Sequence, residues 1–378
     1  MKILLIGEYN SSHRFLKDGL IKLGHEAIVV GLTDGFKQVD VDIAIKDYYA
    51  SNWFFKKFKK LIFKLFKIDL HSISVLQQIR KLHLSGYDIV QLINETPFQC
   101  NVTTEKKIFN SLLQNNKKIF LLSCGDDHIS ITYANTQIPR YSILTPYFDN
   151  KVPKEHFSYS FKYLTPEFKT LHQHIFKHIN GVIASDLDYH FPLHEHPKYI
   201  GLVPNPLNLT EFEYYFPPLE DKIVIFHGIN SSNYYKKGND IFEDALKIIS
   251  SKYNDKIEII TVSSLPYKEY INSYNKAHIL LDQVYAYDQG FNALEAMAKG
   301  KVVFTGAEKE WLKWYNIEED TVAINALPNA SAIAEKLEWL ILNPDKIIEI
   351  SKNARAFIEH EHDYIDSAKK YLHKWTTH

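Results

Sequence analysis

Apolar runs of four to seven residues alternate along this chain with longer stretches of helical spacing, a pattern that predicts βα units around parallel sheets. In the first half KILLIG (2–7), EAIVVG (26–31), IAI (43–45), YDIVQLI (87–93), KKIFLLS (117–123) and GVIAS (181–185) read as strands. A second series follows: KIVIFHG (222–228), KIEIITV (256–262), AHILLDQ (277–283), KVVFTG (301–306) and TVAIN (321–325). Ser11 to Leu23 has helical spacing and stops at Gly24. Between the two series, LVPNPLNL (202–209) is rich in Pro and Asn and has no period, so it reads as the linker. The expected fold is α/β: two consecutive Rossmann-like domains facing a central cleft, over 1–203 and 204–352. From Pro344 onward the tail is helical in pattern, and its last part, 353–378, is set apart as a C-terminal helix that either stays on its own domain or crosses back to the first.

Composition narrows the class. A length of 378 residues exceeds one ordinary core, and 45% hydrophobic with 24% charged residues describes a globular protein. The net charge of −1 gives no global attraction to nucleic acid. Two cysteines, Cys100 and Cys124, make no disulfide framework and read as reduced thiols. The start MKILLIGEYN turns polar too soon for a signal peptide, and no apolar run reaches the ~18 residues of a membrane span. These features together predict a cytoplasmic enzyme.

The most informative stretch is DQVYAYDQGFNALEAMAKG (282–300). A loop containing Gly290 runs into a short helix with a single acid, Glu295, and Gly300 ends that helix before a buried strand. A helix N-terminus facing open space offers backbone N–H groups and a positive dipole end to an anion. Glu295, one turn in, can accept hydrogen bonds from the vicinal hydroxyls of a ribose. Two strands earlier, HGINSSNYYKKGNDIF (227–242) closes a strand at His227 and Gly228 and places Lys237-Gly238 before a helix. A lysine there neutralises a diphosphate, whereas KG alone is more often a surface turn.

A strand ending in HG, a polar loop with KG, and then DQ…GFNALEAMAKGKVV together resemble retaining glycosyltransferases of the GT-B fold, specifically glycosyltransferase family four. VPNP (203–206) resembles that family's entry into its second domain, and the likeness covers the second domain strongly and the first in outline. The resemblance implies that Lys237 and Gly228 lie at the donor's diphosphate, that the loop of Gln289, Gly290, Phe291 and Asn292 turns its amides to it, and that Glu295 binds the ribose. It implies transfer with retention, the acceptor attacking on the face from which the phosphate departs, with no protein nucleophile. Lys237 and the helix dipole stand in for a metal, and no cofactor is expected beyond the nucleotide diphosphate-sugar substrate. The sequence also departs from the family. Its first glutamate, eight positions before Glu295, is replaced by Tyr287, leaving the adjacent Asp288 as the candidate for the donor sugar. Its arginine after the first strand of the second series is missing among Ile229, Asn230 and Ser231.

On the first-domain side, the strand at 117–123 breaks into Cys124, Gly125, Asp126, Asp127 and His128. Family members often carry a histidine or acid at this strand end, so Asp126, Asp127 and His128 are the catalytic candidates, weighed evenly against a helix cap. In GEYNSSH (7–13), Gly7 and Asn10 are positioned to approach acceptor or diphosphate. Asp40-Val41-Asp42 and Asp186-Leu187-Asp188 read as a turn and a helix start rather than metal triplets, and HEH at 194–196 and 360–362 reads as solvated surface. No metal site is expected.

WFFKKFKKLIFKLFKI (53–68) holds six lysines and no acid. At about 100° per residue, Phe54, Phe58, Leu61 and Leu65 share an apolar face opposite Lys56, Lys57, Lys60 and Lys64. Such a helix suits an in-plane anchor on anionic lipid; the alternative is a helix packed on its sheet. The resulting expectation is a cytoplasmic glycosyltransferase peripheral to the inner face of a membrane. It would move sugar from a nucleotide-sugar donor to a saccharide or lipid-linked saccharide in surface polysaccharide or lipopolysaccharide synthesis. The alternatives are a nucleotide-sugar 2-epimerase and a non-catalytic scaffold on the same fold.

Overall fold

A computed structural model of the chain describes residues 1–32, 39–46, 53–219, 221–263 and 267–378, and leaves aside the side chains of 53–56 and 267–269. Seven parallel strands build the first sheet: β1 (Lys2–Ile6), β2 (Glu26–Leu32), β3 (Ile43–Ile45), β4 (Ile89–Leu92), β5 (Lys118–Ser123), β6 (Gly181–Ala184) and β7 (Tyr199–Leu202). Their spatial order is β3-β2-β1-β4-β5-β6-β7. The second sheet contains β8 (Ile223–Ile229), β9 (Ile257–Ser263), β10 (Ile279–Leu281), β11 (Val302–Thr305) and β12 (Ile324–Asn325), ordered β12-β11-β10-β8-β9 and also parallel. Helices cover both faces of each sheet, which is why central strands such as β4 and β6, and β1 from Ile3 onward, are buried at every position instead of alternating. This is the expected GT-B architecture.

Both sheets reverse direction of growth near their middles, between β1 and β4 in the first and between β8 and β10 in the second. Loops leaving neighbouring strands there part to opposite faces and open a crevice at the carboxyl ends. The two crevices face each other across the interdomain cleft.

β7 is the strand that the sequence pattern does not announce. Its residues YIGL are half-buried, carry a glycine and run straight into the aperiodic linker. The tail also differs from a single C-terminal helix. Pro344–Glu361 packs on the second domain through Ile347, Ile350, Ala354, Phe357 and Ile358. Only the following helix, Tyr364–Thr377, crosses back. There Tyr371 and Trp375 enter the first-domain core with Ile3, Leu5 and Phe120, and Trp375 Nε1 donates to Gln91 Oε1 at 3.2 Å. The crossing helix lies against Ser12–Lys22, and a Cβ at Gly19 would stand 2.3 Å from the Tyr364 carbonyl, so only glycine permits this approach. His362 sits at the crossover, buried, its Nδ1–H donating to the Asn205 carbonyl at 2.8 Å, and burial pushes its pKa down to about 4. Within the second HEH triplet His360 is solvated surface as the sequence suggests, whereas His362 is a buried residue of the crossover.

Candidate functional site

The second-domain site forms where β8 and β10 adjoin. Asp282 directly follows β10, and its carboxylate is buried between three donors: Lys237 Nζ at 2.8 Å and Asn292 Nδ2 at 3.0 Å on Oδ1, and Thr305 Oγ1 at 3.4 Å on Oδ2. Asp282 thus fixes the lysine and the asparagine side by side. Gly238, with φ of 71°, lets the chain turn from Lys237 into the helix Asn239–Tyr253, while the Lys237 carbonyl accepts from Val284 N–H at 3.0 Å. Gly290 begins the helix Phe291–Ala298 in extended conformation, and no side chain caps that helix. The N-terminal amides, the Asn292 amide and the Lys237 ammonium consequently converge on one wall, the physical requirement for an anion seat.

Across from that wall stands the first domain. A cleft of about 650 Å³ is lined by Gly228, Lys237, Gly290, Phe291 and Asn292 from one side and by Asn10, Asp126 and Tyr189 from the other. Asn10 adopts the left-handed conformation, φ 55°, in the loop that leaves β1. Asp126 Oδ2 accepts from Lys236 Nζ at 2.8 Å, a direct ion pair between the domains, and also from the Ser160 hydroxyl. Adjacent lysines therefore divide the work: Lys236 holds the first domain's Asp126, and Lys237 the second domain's Asp282.

Of the three first-domain candidates, only Asp126 lines the cleft. Asp127 is buried as the N-cap of His128–Asn135, in a capping box with Ser130, its Oδ2 accepting from Ser123 Oγ at 2.7 Å. His128 points its Nδ1 at the Tyr163 carbonyl, 2.7 Å away, and its ring packs on His172. Behind them His172 Nδ1 bonds Glu95 at 2.5 Å, and burial pushes Glu95 up to about 8. This cluster supports the cleft floor from behind.

Asp288 does not face the donor side. Its Oδ2 accepts from Leu187 N–H at 2.9 Å and its Oδ1 from Gln289 N–H at 2.7 Å. In return, Asp188 accepts from the N–H groups of Tyr287 and Asp288, at 3.1 Å each. Two aspartates from opposite domains thus cap each other's backbone. Asp186, the N-cap of the same first-domain helix, Leu187–Leu193, receives Asp188 N–H at 3.0 Å. Burial raises all three carboxyls, Asp288 to about 6, Asp188 to about 7 and Asp186 well above the usual range. The Asp186–Asp188 triplet is a helix start, as its sequence suggests, and also an interdomain clasp. Asp42, from the other triplet, binds Lys17 Nζ at 3.0 Å and Val29 N–H at 2.8 Å.

Gln289 is buried and donates from Nε2 to the Gly306 carbonyl at 2.7 Å. Glu295 lies half-buried one turn past Asn292, beyond the cleft's described lining. The basic helix forms as expected over Trp53–Phe66, and among its described side chains Leu61 is 52% exposed, Leu65 62% and Phe66 63%. The side chains of Phe54 and Lys56 lie outside the described residues.

Sequence reasoning also missed a first-domain segment that reaches over to the second domain. Tyr141 joins the second domain's core beside Tyr285 and Tyr287, and its hydroxyl donates to Glu308. Arg140 binds Glu308 at 2.6 Å and Glu310 at 2.7 Å. IPRYSI (138–143) carries no motif, and partners 147 to 170 positions distant leave no local periodicity to read.

Comparison with known proteins supports the fold. Residues 236–373 match the family model described as Glycosyl transferase-like, a span that begins at the paired lysines and includes most of the crossing helix. No curated protein matches the chain by sequence. Among solved structures, sucrose-phosphate synthase from Thermosynechococcus elongatus is similar at a TM-score of 0.60 and 13% identity, over 100% of this chain and 99% of that one. Anabaena Alr3699/HepE in complex with UDP and glucose gives 0.59 and 12%, over 100% of both chains. TarM of S. aureus gives 0.54 and 13%, over 80% of this chain and 58% of its own. The fold class is GT-B. Within it, the second domain is glycosyltransferase-like, and the chain resembles the glycosyltransferases of that fold.

Proposed function

We propose that this chain transfers a sugar from a nucleotide diphosphate donor to a hydroxyl acceptor in the interdomain cleft. The observation that carries the reading is Asp282 clamping Lys237 and Asn292 beside the uncapped helix start at Gly290. As the anomeric C–O bond breaks, negative charge grows on the departing diphosphate, and fixed donors aimed there lower the barrier. The acceptor oxygen bonds the anomeric carbon from the same face, and its proton passes to the departing phosphate oxygen, so the configuration is retained. Lys237 and the helix dipole supply the charge that a divalent ion supplies elsewhere. Asp126, held by Lys236, is placed to orient the acceptor hydroxyl, and Glu295 takes the ribose.

The exposed apolar residues of the 53–66 helix, on an acid-free lysine-rich segment, favour work at an anionic membrane surface. An acceptor that is lipid-linked, within surface polysaccharide or lipopolysaccharide assembly, suits that location on the cytoplasmic side. Among the described residues, no helix is long and apolar enough to cross a membrane.

The test is thermal-shift binding of UDP, GDP, ADP, CMP and dTDP with and without EDTA. One diphosphate should raise the Tm regardless of chelation, and Lys237→Ala should abolish the rise. Silence across the panel sinks the reading in favour of a non-catalytic scaffold.

A further inference from the structure

A buried polar chain runs from the crossing helix to the wall of the cleft. Trp375 Nε1 donates to Gln91 Oε1 at 3.2 Å, Gln91 Nε2 lies 3.2 Å from His13 Nε2, and His13 Nδ1 lies 2.8 Å from the Gly7 carbonyl oxygen. Trp375, Gln91 and His13 are each fully buried, so their polar atoms must satisfy one another.

The directions of these bonds are forced. An indole nitrogen only donates, and a carbonyl oxygen only accepts. Trp375 therefore turns the Gln91 oxygen toward itself and the Gln91 amide nitrogen toward His13. His13 Nε2 can then only accept, which leaves the ring's single proton on Nδ1 and donates it to Gly7. Burial favours the neutral ring and pushes its pKa down to about 4. A residue of the C-terminal helix thus selects the tautomer of a histidine near the start of the chain.

The last of these bonds ends on a strained loop. After Gly7, Asn10 and Ser11 take consecutive left-handed conformations, with φ of 55° and 72°. Residues with a Cβ hold that conformation only where their surroundings over-determine it, and such positions gather at ligand sites. Two contacts fix the loop: the Glu8 carboxylate accepts from Arg14 N–H at 2.8 Å, and His13 holds the Gly7 carbonyl. Asn10, exposed beyond them, lines the interdomain cleft.

We infer that His13 is a positioning residue, through which the crossing helix holds Asn10 in place on the cleft wall. The part of Asn10 in transfer rests on the reading above; the strut from Trp375 to Gly7 does not.

The experiment compares two substitutions in the full chain that each keep one half of the histidine. In His13→Asn the side-chain amide nitrogen takes the place of Nδ1 and still donates to Gly7. In His13→Gln the amide takes the place of Nε2; its oxygen accepts from Gln91, and Gly7 loses its donor. Both break one buried bond and should lower the Tm, but only the second frees the loop. Hydrogen exchange at residues 8–12 should quicken at least about tenfold in His13→Gln and stay near wild type in His13→Asn. His13→Gln should lower kcat at least about tenfold, whereas His13→Asn should keep it. Added to Asn10→Ala, His13→Gln should cost nothing further, because it acts through that residue. Nitrogen NMR of isotope-labelled histidines, with His13 assigned by its loss in His13→Asn, should show a neutral Nδ1–H ring near neutral pH. Trp375→Phe, which removes the indole donor, should admit the Nε2–H tautomer. Equal exchange and equal kcat in the two His13 variants, or additive losses with Asn10→Ala, overturns the inference. So does an Nε2–H or doubly protonated ring in the wild type, or a tautomer indifferent to Trp375→Phe. A wild-type chain that neither binds a nucleotide diphosphate nor transfers refutes the transfer reading instead, and exchange and tautomer then decide the strut on their own.

Discussion

Arg140 lays its guanidinium over the Tyr287 ring, 4.9 Å from the centroid, and its backbone N–H donates to the same tyrosine's hydroxyl at 2.9 Å. Tyr287, which stands where the resemblance leads one to expect a glutamate, thus seats a first-domain segment on the second domain. Tyr287→Phe should keep the ring contact and lose one hydrogen bond, lowering stability by about 1 kcal/mol. Arg140→Ala also strips Glu308 and Glu310 of their cation and should cost more, about 1–3 kcal/mol. Urea unfolding of wild type and both variants checks the order; midpoints all equal to the wild type's would show that the segment contributes nothing.

Lys237 and Glu295 should be separable by ligand. Lys237→Ala should weaken both UDP and inorganic pyrophosphate, because it removes charge from the diphosphate seat. Glu295→Ala should weaken UDP alone, since pyrophosphate has no ribose. Each should slow transfer by at least about tenfold, equivalent to about 1.4 kcal/mol. Calorimetric titration with the two ligands decides, and a Glu295 variant that loses pyrophosphate as well would refute the ribose assignment.

The basic helix predicts salt-dependent sedimentation with vesicles containing phosphatidylglycerol and little with pure phosphatidylcholine. Lysines near such a surface contribute about 1 kcal/mol each. Leu61→Ser with Leu65→Ser should abolish the binding while leaving the Tm within a degree or two, because both side chains are already exposed. A marked drop in Tm would mean that the face packs on protein.

Glu105 is buried, its Oε1 accepting from Cys100 N–H at 2.8 Å, and burial pushes its pKa up to about 8 from 4.5. Between those values the folded chain holds a proton that the unfolded chain has released, so this group's contribution falls as pH rises through that window. Glu105→Gln should flatten that part of the decline. The difference in Tm between wild type and variant, followed from pH 4.5 to pH 8, should shift steadily in the variant's favour; a constant difference would refute it.

Trp375 is fully buried, and truncating it to alanine should cost about 3–5 kcal/mol. The loss should appear in the first domain. Hydrogen exchange should speed up in β1, β4 and β5, next to its cavity, before it does in β8 or β10.

Much of this was legible in the sequence for a local reason. Buried parallel strands are contiguous apolar runs, so β1, β5, β8 and β11 stand out residue by residue, and Gly290 and Lys237 flank helices whose starts are locally encoded. What could not be read is where a loop side chain turns once two domains meet. Asp288 looked free to reach a sugar, yet Leu187 N–H, 101 positions away, claims it. Asp127 and His128 follow a catalytic-looking strand end, but the cap of their own helix and the Tyr163 carbonyl take them. Arg140 carries no local signal because each of its partners lies in the other domain.

The crossing helix has a consequence for how the molecule is made. Because Tyr371 and Trp375 complete the core around Ile3 and Leu5, the second domain is topologically an insertion within the first. Two passages join them: the linker after β7, and the turn at His362, where Leu207 N–H donates to the His362 carbonyl at 2.7 Å. A ribosome delivering this chain would release a second domain able to close its own sheet while the first still lacks one wall. The usual order of domain maturation is thereby inverted. A nascent chain cut before residue 364 would hold the lysine pair opposite a first domain whose core still lacks Tyr371 and Trp375.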